Sequence, residues 1–169
     1  VYRTSNEWAS RTTLIDDQTN GYFVCPSDYD SVNQIYYMSS NTNGDLRALA
    51  NARTASHSSS ATAGEFLQSS VLSSRVSSIE VSPHDPSIVF VGDSSGNLTK
   101  ITNANTATST TVNEIDLDPS NTLPAGYVHS IDIGADDNHI LITFYNYNTD
   151  NIWVTTDNGT TWTNLDGNL

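Results

Sequence analysis

Thr155-Thr156-Asp157-Asn158-Gly159-Thr160-Thr161-Trp162 is the stretch on which the reading of this chain turns. It has the form Ser/Thr-x-Asp-x-Gly-x-x-Trp, and the physics of that form is a tight hairpin. Asp157 is placed to accept hydrogen bonds from turn amides, and Gly159 supplies the positive φ such a turn needs. Trp162 is large enough to fold back beneath the turn and bury an extensive apolar surface against its own sheet. Thr155, Asp157, Gly159 and Trp162 are therefore expected to be structural anchors rather than reacting groups.

The surroundings of this hairpin recur, and a recurrence at fixed period outranks any local assignment. Val76-Ser77-Ser78-Ile79-Glu80-Val81 aligns with Val128-His129-Ser130-Ile131-Asp132-Ile133 at a shift of 52. Ile88-Val89-Phe90-Val91 aligns with Ile140-Leu141-Ile142-Thr143, again at 52. Gly96-Asn97-Leu98 matches Gly44-Asp45-Leu46 at 52 and Asp150-Asn151-Ile152 at 54. Ile35 precedes Ile88 by 53, and Val1 to Trp8 reads like a shortened version of Ile152 to Trp162. On this alignment Ile79, Val81, Val89 and Val91 are expected to be equivalent to Ile131, Ile133, Leu141 and Thr143.

Within one period, residues 76–81, 87–92, 97–102 and 112–117 are short runs with apolar alternation, separated by Pro, Asp, Ser, Asn and Gly. That spacing predicts four strands per repeat of about 50 residues, the size of a propeller blade. Residues 46–55 have helical composition, but their place in the repeat predicts a strand followed by a loop, with a helix as the alternative.

The Thr155–Trp162 motif and its repeating context resemble the Asp-box, or BNR, repeat of β-propellers, in the sortilin-like and xyloglucanase-like group, over nearly the whole chain. The resemblance implies an all-β fold of four-stranded antiparallel blades. It divides the chain into the outer strands of a partial blade at 1–20 and blades at 21–73, 74–124 and 125–169, the last ending in the box. About three and a half blades leave a ring incomplete, since closed propellers need at least four. The chain is thus expected to be a piece of a larger protein. The remaining blades of the same polypeptide, or another chain, are the expected partners of its open faces.

Composition narrows the function classes. Six basic residues face 19 acidic ones, for a formal charge of −13, and Lys100 is the only lysine. Such a surface repels nucleic-acid phosphates and anionic membranes. No apolar run is long enough to insert into a bilayer. The Ser-, Thr- and Asn-rich polar positions fit an extracellular or cell-surface protein, of bacterial character in its scarcity of Cys and Lys. Cys25 is the only cysteine, read as an inert thiol in the first strand of its blade, so no internal disulfide forms.

Several carboxylate pairs invite a catalytic reading: Asp28-Tyr29-Asp30, Asp116-Leu117-Asp118 and Asp136-Asp137. They are expected in interstrand turns, where Asp caps backbone amides. Calcium ligation is the alternative, but no Asp-x-Asp-x-Asp-Gly loop accompanies them. No cofactor or metal site is expected. A sialidase-like resemblance would imply an arginine triad, a tyrosine nucleophile and an acidic partner. Arg3, Arg11, Arg47, Arg53 and Arg75 lie outside any Arg-Ile-Pro motif. Tyr145-Asn146-Tyr147-Asn148 offers two aromatic rings for ligand contact, as in the aromatic platforms of the xyloglucanase-like propellers, but its place in the repeat favours the end of the second strand of the last blade. The expected function is a non-catalytic extracellular module that binds protein or glycan. The alternative is part of a polysaccharide-active glycoside hydrolase.

Overall fold

The computed structural model describes residues 2–3, 12–13, 25–40, 45–49, 65–108 and 112–167. Its strands, in chain order, begin with a pair: β1 (Tyr2–Arg3) is antiparallel to β2 (Thr12–Thr13). A first sheet follows, made of β3 (Ser27–Asp30), β4 (Ile35–Ser39), β5 (Asp45–Leu49) and β6 (Glu65–Gln68). A second holds β7 (Val76–Val81), β8 (Val89–Asp93), β9 (Leu98–Thr102) and β10 (Asn113–Asp116). A third holds β11 (Val128–Ile133), β12 (Ile140–Phe144), β13 (Ile152–Thr155) and β14 (Thr163–Asn164). Each of these three is a four-stranded antiparallel meander in sequence order, with its first strand at an edge. The fold is all-β, and among the described residues there is no helix. Residues 45–49 are a strand, as their place in the repeat predicts. Trp8 and the first-strand position assigned to Tyr22-Phe23-Val24 lie outside the described residues; the first strand of this sheet starts at Ser27, and Cys25 precedes it.

The three sheets stack face to face, with the second between the others, because its strand β8 is apolar on both sides. β8 is buried along its whole length. Val89 and Val91 enter one core with Ile79 and Ile101, against Ile35, Tyr37, Leu46 and Leu67 of the first sheet. Phe90 and Leu98 point the other way, into a second core with Ile131, Ile133, Ile140 and Ile142 of the third. The edge strands β3 and β11 both lie beside β7.

The register corrects one expectation. Ile79 pairs with Val91 and Val81 with Val89, whereas Ile131 pairs with Ile142 and Ile133 with Ile140. The equivalents of Val89 and Val91 are therefore Ile140 and Ile142, not Leu141 and Thr143. The first strands repeat at 52 and the second strands at 51, because the connection at 134–139 is one residue shorter than that at 82–88. A shift of one residue moves a side chain to the other face of the sheet. β7 and β11 carry the same irregularity, between Val76 and Ser78 and between Val128 and Ser130.

Close approach of the second and third sheets is set at Gly92, where a Cβ would stand 2.5 Å from Val128 Cγ1. Val128 is fully buried and cannot swing away. Gly92→Ala is expected to destabilise the chain by about 1–3 kcal/mol through overpacking, read as a lower urea midpoint at unchanged slope.

Candidate functional site

Three groups of residues stand out: the Thr155–Trp162 turn, the tyrosine loop beside β11, and a row of carboxylates on the sheet edges.

The turn is saturated with short-range bonds. Thr155 Oγ1 donates to Asp157 Oδ1 (2.8 Å) and accepts from the Gly159 amide (3.0 Å). Asp157 accepts from the Thr161 amide (2.8 Å) and from Thr161 Oγ1 (2.7 Å). These donors hold the Asp157 carboxyl below the usual aspartate range, the Thr161 side chain contributing most. Gly159 has φ +82°, and a Cβ there would lie 2.2 Å from Leu117 O. Trp162 is buried, and its Nε1–H donates to Leu117 O (2.9 Å). Leu117 follows β10, so the tryptophan is anchored on the preceding sheet and not only beneath its own hairpin. Lys100 of β9 reinforces the same junction: buried beside the Phe90 ring, it donates through Nζ to Asn158 Oδ1 (2.9 Å) and Asp137 O (3.1 Å). The turn thereby clamps the third sheet to the second. The turn that follows β9 has Asn103 at φ +53° and buries Ala104 and Ala107, with no aromatic ring.

The tyrosine loop connects β12 to β13. Tyr145 is 72% and Tyr147 94% exposed, values high enough for both rings to meet a ligand. The backbone beneath them is pinned. Tyr145 N–H donates to Tyr127 O (3.0 Å), and Asn146 Oδ1 accepts from the Tyr127 amide (2.8 Å). Asn146 fills the space where a Cβ on Gly126 would stand. At the far end the Phe144 amide donates to Asn151 O, the Asn151 amide donates to Asp166, and Trp153 Nε1–H donates to Asp150 O. The His129 ring lies 5.8 Å from that of Tyr145, tilted by 36°. Phe144, Tyr145, Asn146, Tyr147 and Asn151 line a shallow cleft.

The carboxylate row went unread in the sequence. Asp28 pairs with Tyr37, Glu80 with Phe90 and Asp132 with Leu141, which places the three acids at one register position on the edge strands β3, β7 and β11. They are spaced by 52 residues, and the alignment of 76–81 with 128–133 already set Glu80 opposite Asp132. That signal would have found them. Asp28 Oδ2 accepts from the Val81 amide of the next sheet (2.7 Å). Glu80 is partly buried, and burial first, then the charges of Asp28 and Asp132, push its carboxyl up to about 7. A cleft of about 230 Å³, lined by Asp28, Tyr29, Val32, Val81 and Pro83, opens beside Asp28.

The other acids read as pairs serve turns. Asp30 accepts from the Val32 and Asn33 amides (both 2.8 Å). Asp118 accepts from the Thr122 and Leu123 amides, and Asp116 from the Asp118 amide. Asp136 accepts from the Asn138 amide and from His139, and its carboxyl is lowered, chiefly by the histidine. Asp137 accepts from Ser82 Oγ across the sheet junction. Asp28 and Asp137 are the exceptions: both bond to a neighbouring sheet, and Asp28 lies within a strand. Among the described residues no group of three or more His, Cys, Asp or Glu is arranged to hold a metal ion. Of the five arginines, only Arg75 has a described side chain.

Trp162→Ala is expected to cost about 3–5 kcal/mol. Trp162→Phe keeps most of the apolar contact but leaves Leu117 O without its donor, costing about 1–3 kcal/mol. Equilibrium urea unfolding of both variants separates packing from hydrogen bonding. Asp85, Asp136 and Asp157 all have lowered folded values, so their stabilisation is present above the ordinary aspartate pKa of about 4 and is lost as pH falls through the folded values. The melting temperature, followed by circular dichroism, should accordingly fall as pH is lowered below about 4. No family model, curated protein or solved structure matches this chain.

Proposed function

We propose that the three stacked sheets are successive blades of an Asp-box β-propeller, and that this part of the ring is a non-catalytic binding module acting through the Tyr145–Tyr147 loop. The blade reading draws support from the sequential meander of each sheet, the edge strands set side by side, and the two cores between consecutive sheets. In that arrangement Thr155, Asp157, Gly159 and Trp162 are structural, and further blades or another chain cover the open faces. The acidic surface, with 19 Asp and Glu against 6 Lys and Arg, suits a secreted or cell-surface protein.

The observation that carries the binding role is the pair of exposed tyrosines on a pinned backbone. A loop whose backbone is already held loses less entropy on binding, and a phenol offers both an apolar face and a polar tip. A glycan, whose sugar rings have apolar C–H faces edged by hydroxyls, suits that surface. The amides of Asn146, Asn148 and Asn151 stand in the same loop.

A second reading, glycoside hydrolysis, is favoured by one observation: Glu80 is held near neutrality between Asp28 and Asp132. Glycosidases pair a protonated carboxyl with an ionised one in this way.

Binding to an array of bacterial and plant oligosaccharides, followed by calorimetry on the best ligand, tests the first reading. The double variant Tyr145→Ala/Tyr147→Ala should weaken binding at least about tenfold, or about 1.4 kcal/mol, with an unchanged melting temperature. Undiminished binding by that variant overturns the role of the loop. Turnover of aryl glycosides that is abolished by Glu80→Gln would establish the second reading instead.

A further inference from the structure

The carboxylate row has a property that the tyrosine-loop reading does not require. Like charges are set at one height along three adjacent edge strands, and only the outer two have an easy outlet for their charge. Asp28 is neutralised in part by the Val81 amide, and Asp132 is exposed to water. Glu80 is in the middle, partly covered, with a carboxylate on each side. We propose that the Asp28–Glu80–Asp132 row is a pH-sensitive tie between the three sheets. Protonated at its central member, it holds the edge strands together; ionised there, it drives them apart.

The surroundings of Glu80 decide the sign. From β3 it is faced by Asp28 and from β11 by Asp132. From β8 it meets its cross-strand partner Phe90, which carries no charge. The cation nearest in register, Lys100 of β9, is on the far side of Phe90 and is engaged by Asn158 and Asp137 O. Tyr37 of β4, across from Asp28, is held neutral by burial. Asp137, in the β11–β12 connection, is bonded to Ser82 Oγ, and His84 Nε2 meets Gly134 O. Among the described residues, then, the charges that act on the Glu80 carboxyl are both negative, and burial acts in the same direction.

A carboxyl whose folded value exceeds its unfolded one gives stability that is complete below the unfolded value. That stability fades as pH rises through the folded value. Here the window runs from the ordinary glutamate value of 4.5 to about 7. Protonation also removes the repulsion between Glu80 and the carboxylates of Asp28 and Asp132. Its effect is opposite in sign to that of Asp85, Asp136 and Asp157, which act at lower pH.

The test compares the whole chain with Glu80→Gln by urea unfolding at pH 5, 6, 7 and 8. The substitution keeps the shape and removes the titration. The midpoint of Glu80→Gln should match that of the parent at pH 5 and exceed it increasingly toward pH 8. A difference that is the same at pH 5 and pH 8 overturns the proposal. The carboxyl carbon shift of Glu80, followed by NMR through a pH titration, gives a reading that does not depend on unfolding. It should turn near neutrality, and Asp132→Asn, which alters an exposed residue, should move it downward. Titration at the ordinary glutamate value, or no response to Asp132→Asn, would refute the tie. Neither result depends on whether the tyrosine loop binds glycan.

Discussion

At its β8 strand the second sheet has no side to give to water. Val89 and Val91 project from one face of β8 and Phe90 from the other, and all are fully buried. Such a sheet is stable only with an apolar neighbour on each side, at about 25 cal/mol for each Å² removed from water. The stacking of the first and third sheets, the short approach at Gly92 and the alignment of the edge strands all follow from that requirement.

Apolar contact is poor at fixing lateral position, because one methyl group packs much like another. Directional bonds supply what it lacks. Trp162 Nε1–H on Leu117 O, Lys100 Nζ on Asn158 and Asp137, Ser77 Oγ on Val128 O and Asp28 on the Val81 amide each cross between sheets. Those of Trp162 and Ser77 are buried, where an unpaired donor or acceptor is costly and a misplaced sheet is penalised accordingly. The buried lysine shows how far this goes. Its ammonium rests on a carbonyl, a side-chain amide oxygen and the face of Phe90, and among the described residues it has no carboxylate partner.

Environment separates carboxylates of one chemical type into two kinds. Asp85, Asp136 and Asp157 sit in turns, where hydroxyl, amide or imidazole donors favour the charged form. Glu80 sits on an edge strand between two other acids, partly shielded from water, and there the neutral form gains. The turns are fixed by acids that stay ionised at neutral pH. The sheet edges bring together an acid that changes state near it.

The sequence by itself determined what local rules govern. Alternating apolar residues gave short strands, and Pro, Asp, Asn and Gly marked the breaks between them. The Thr155–Trp162 spacing gave a hairpin, because its hydrogen bonds close within eight residues. What spans sheets was decided only by tertiary structure. A connection one residue shorter at 134–139 than at 82–88 turned Ile140 and Ile142, rather than Leu141 and Thr143, toward the second sheet. Trp162 found its acceptor 45 residues away in the preceding sheet. Asp28, read from its neighbours as a turn residue, became a strand residue bonded 53 positions further on. Period and alternation specify which residues are strand and which are turn. The face a residue occupies, and the charge it meets there, depend on loop length and on the neighbouring sheet, and neither is a property of the local sequence.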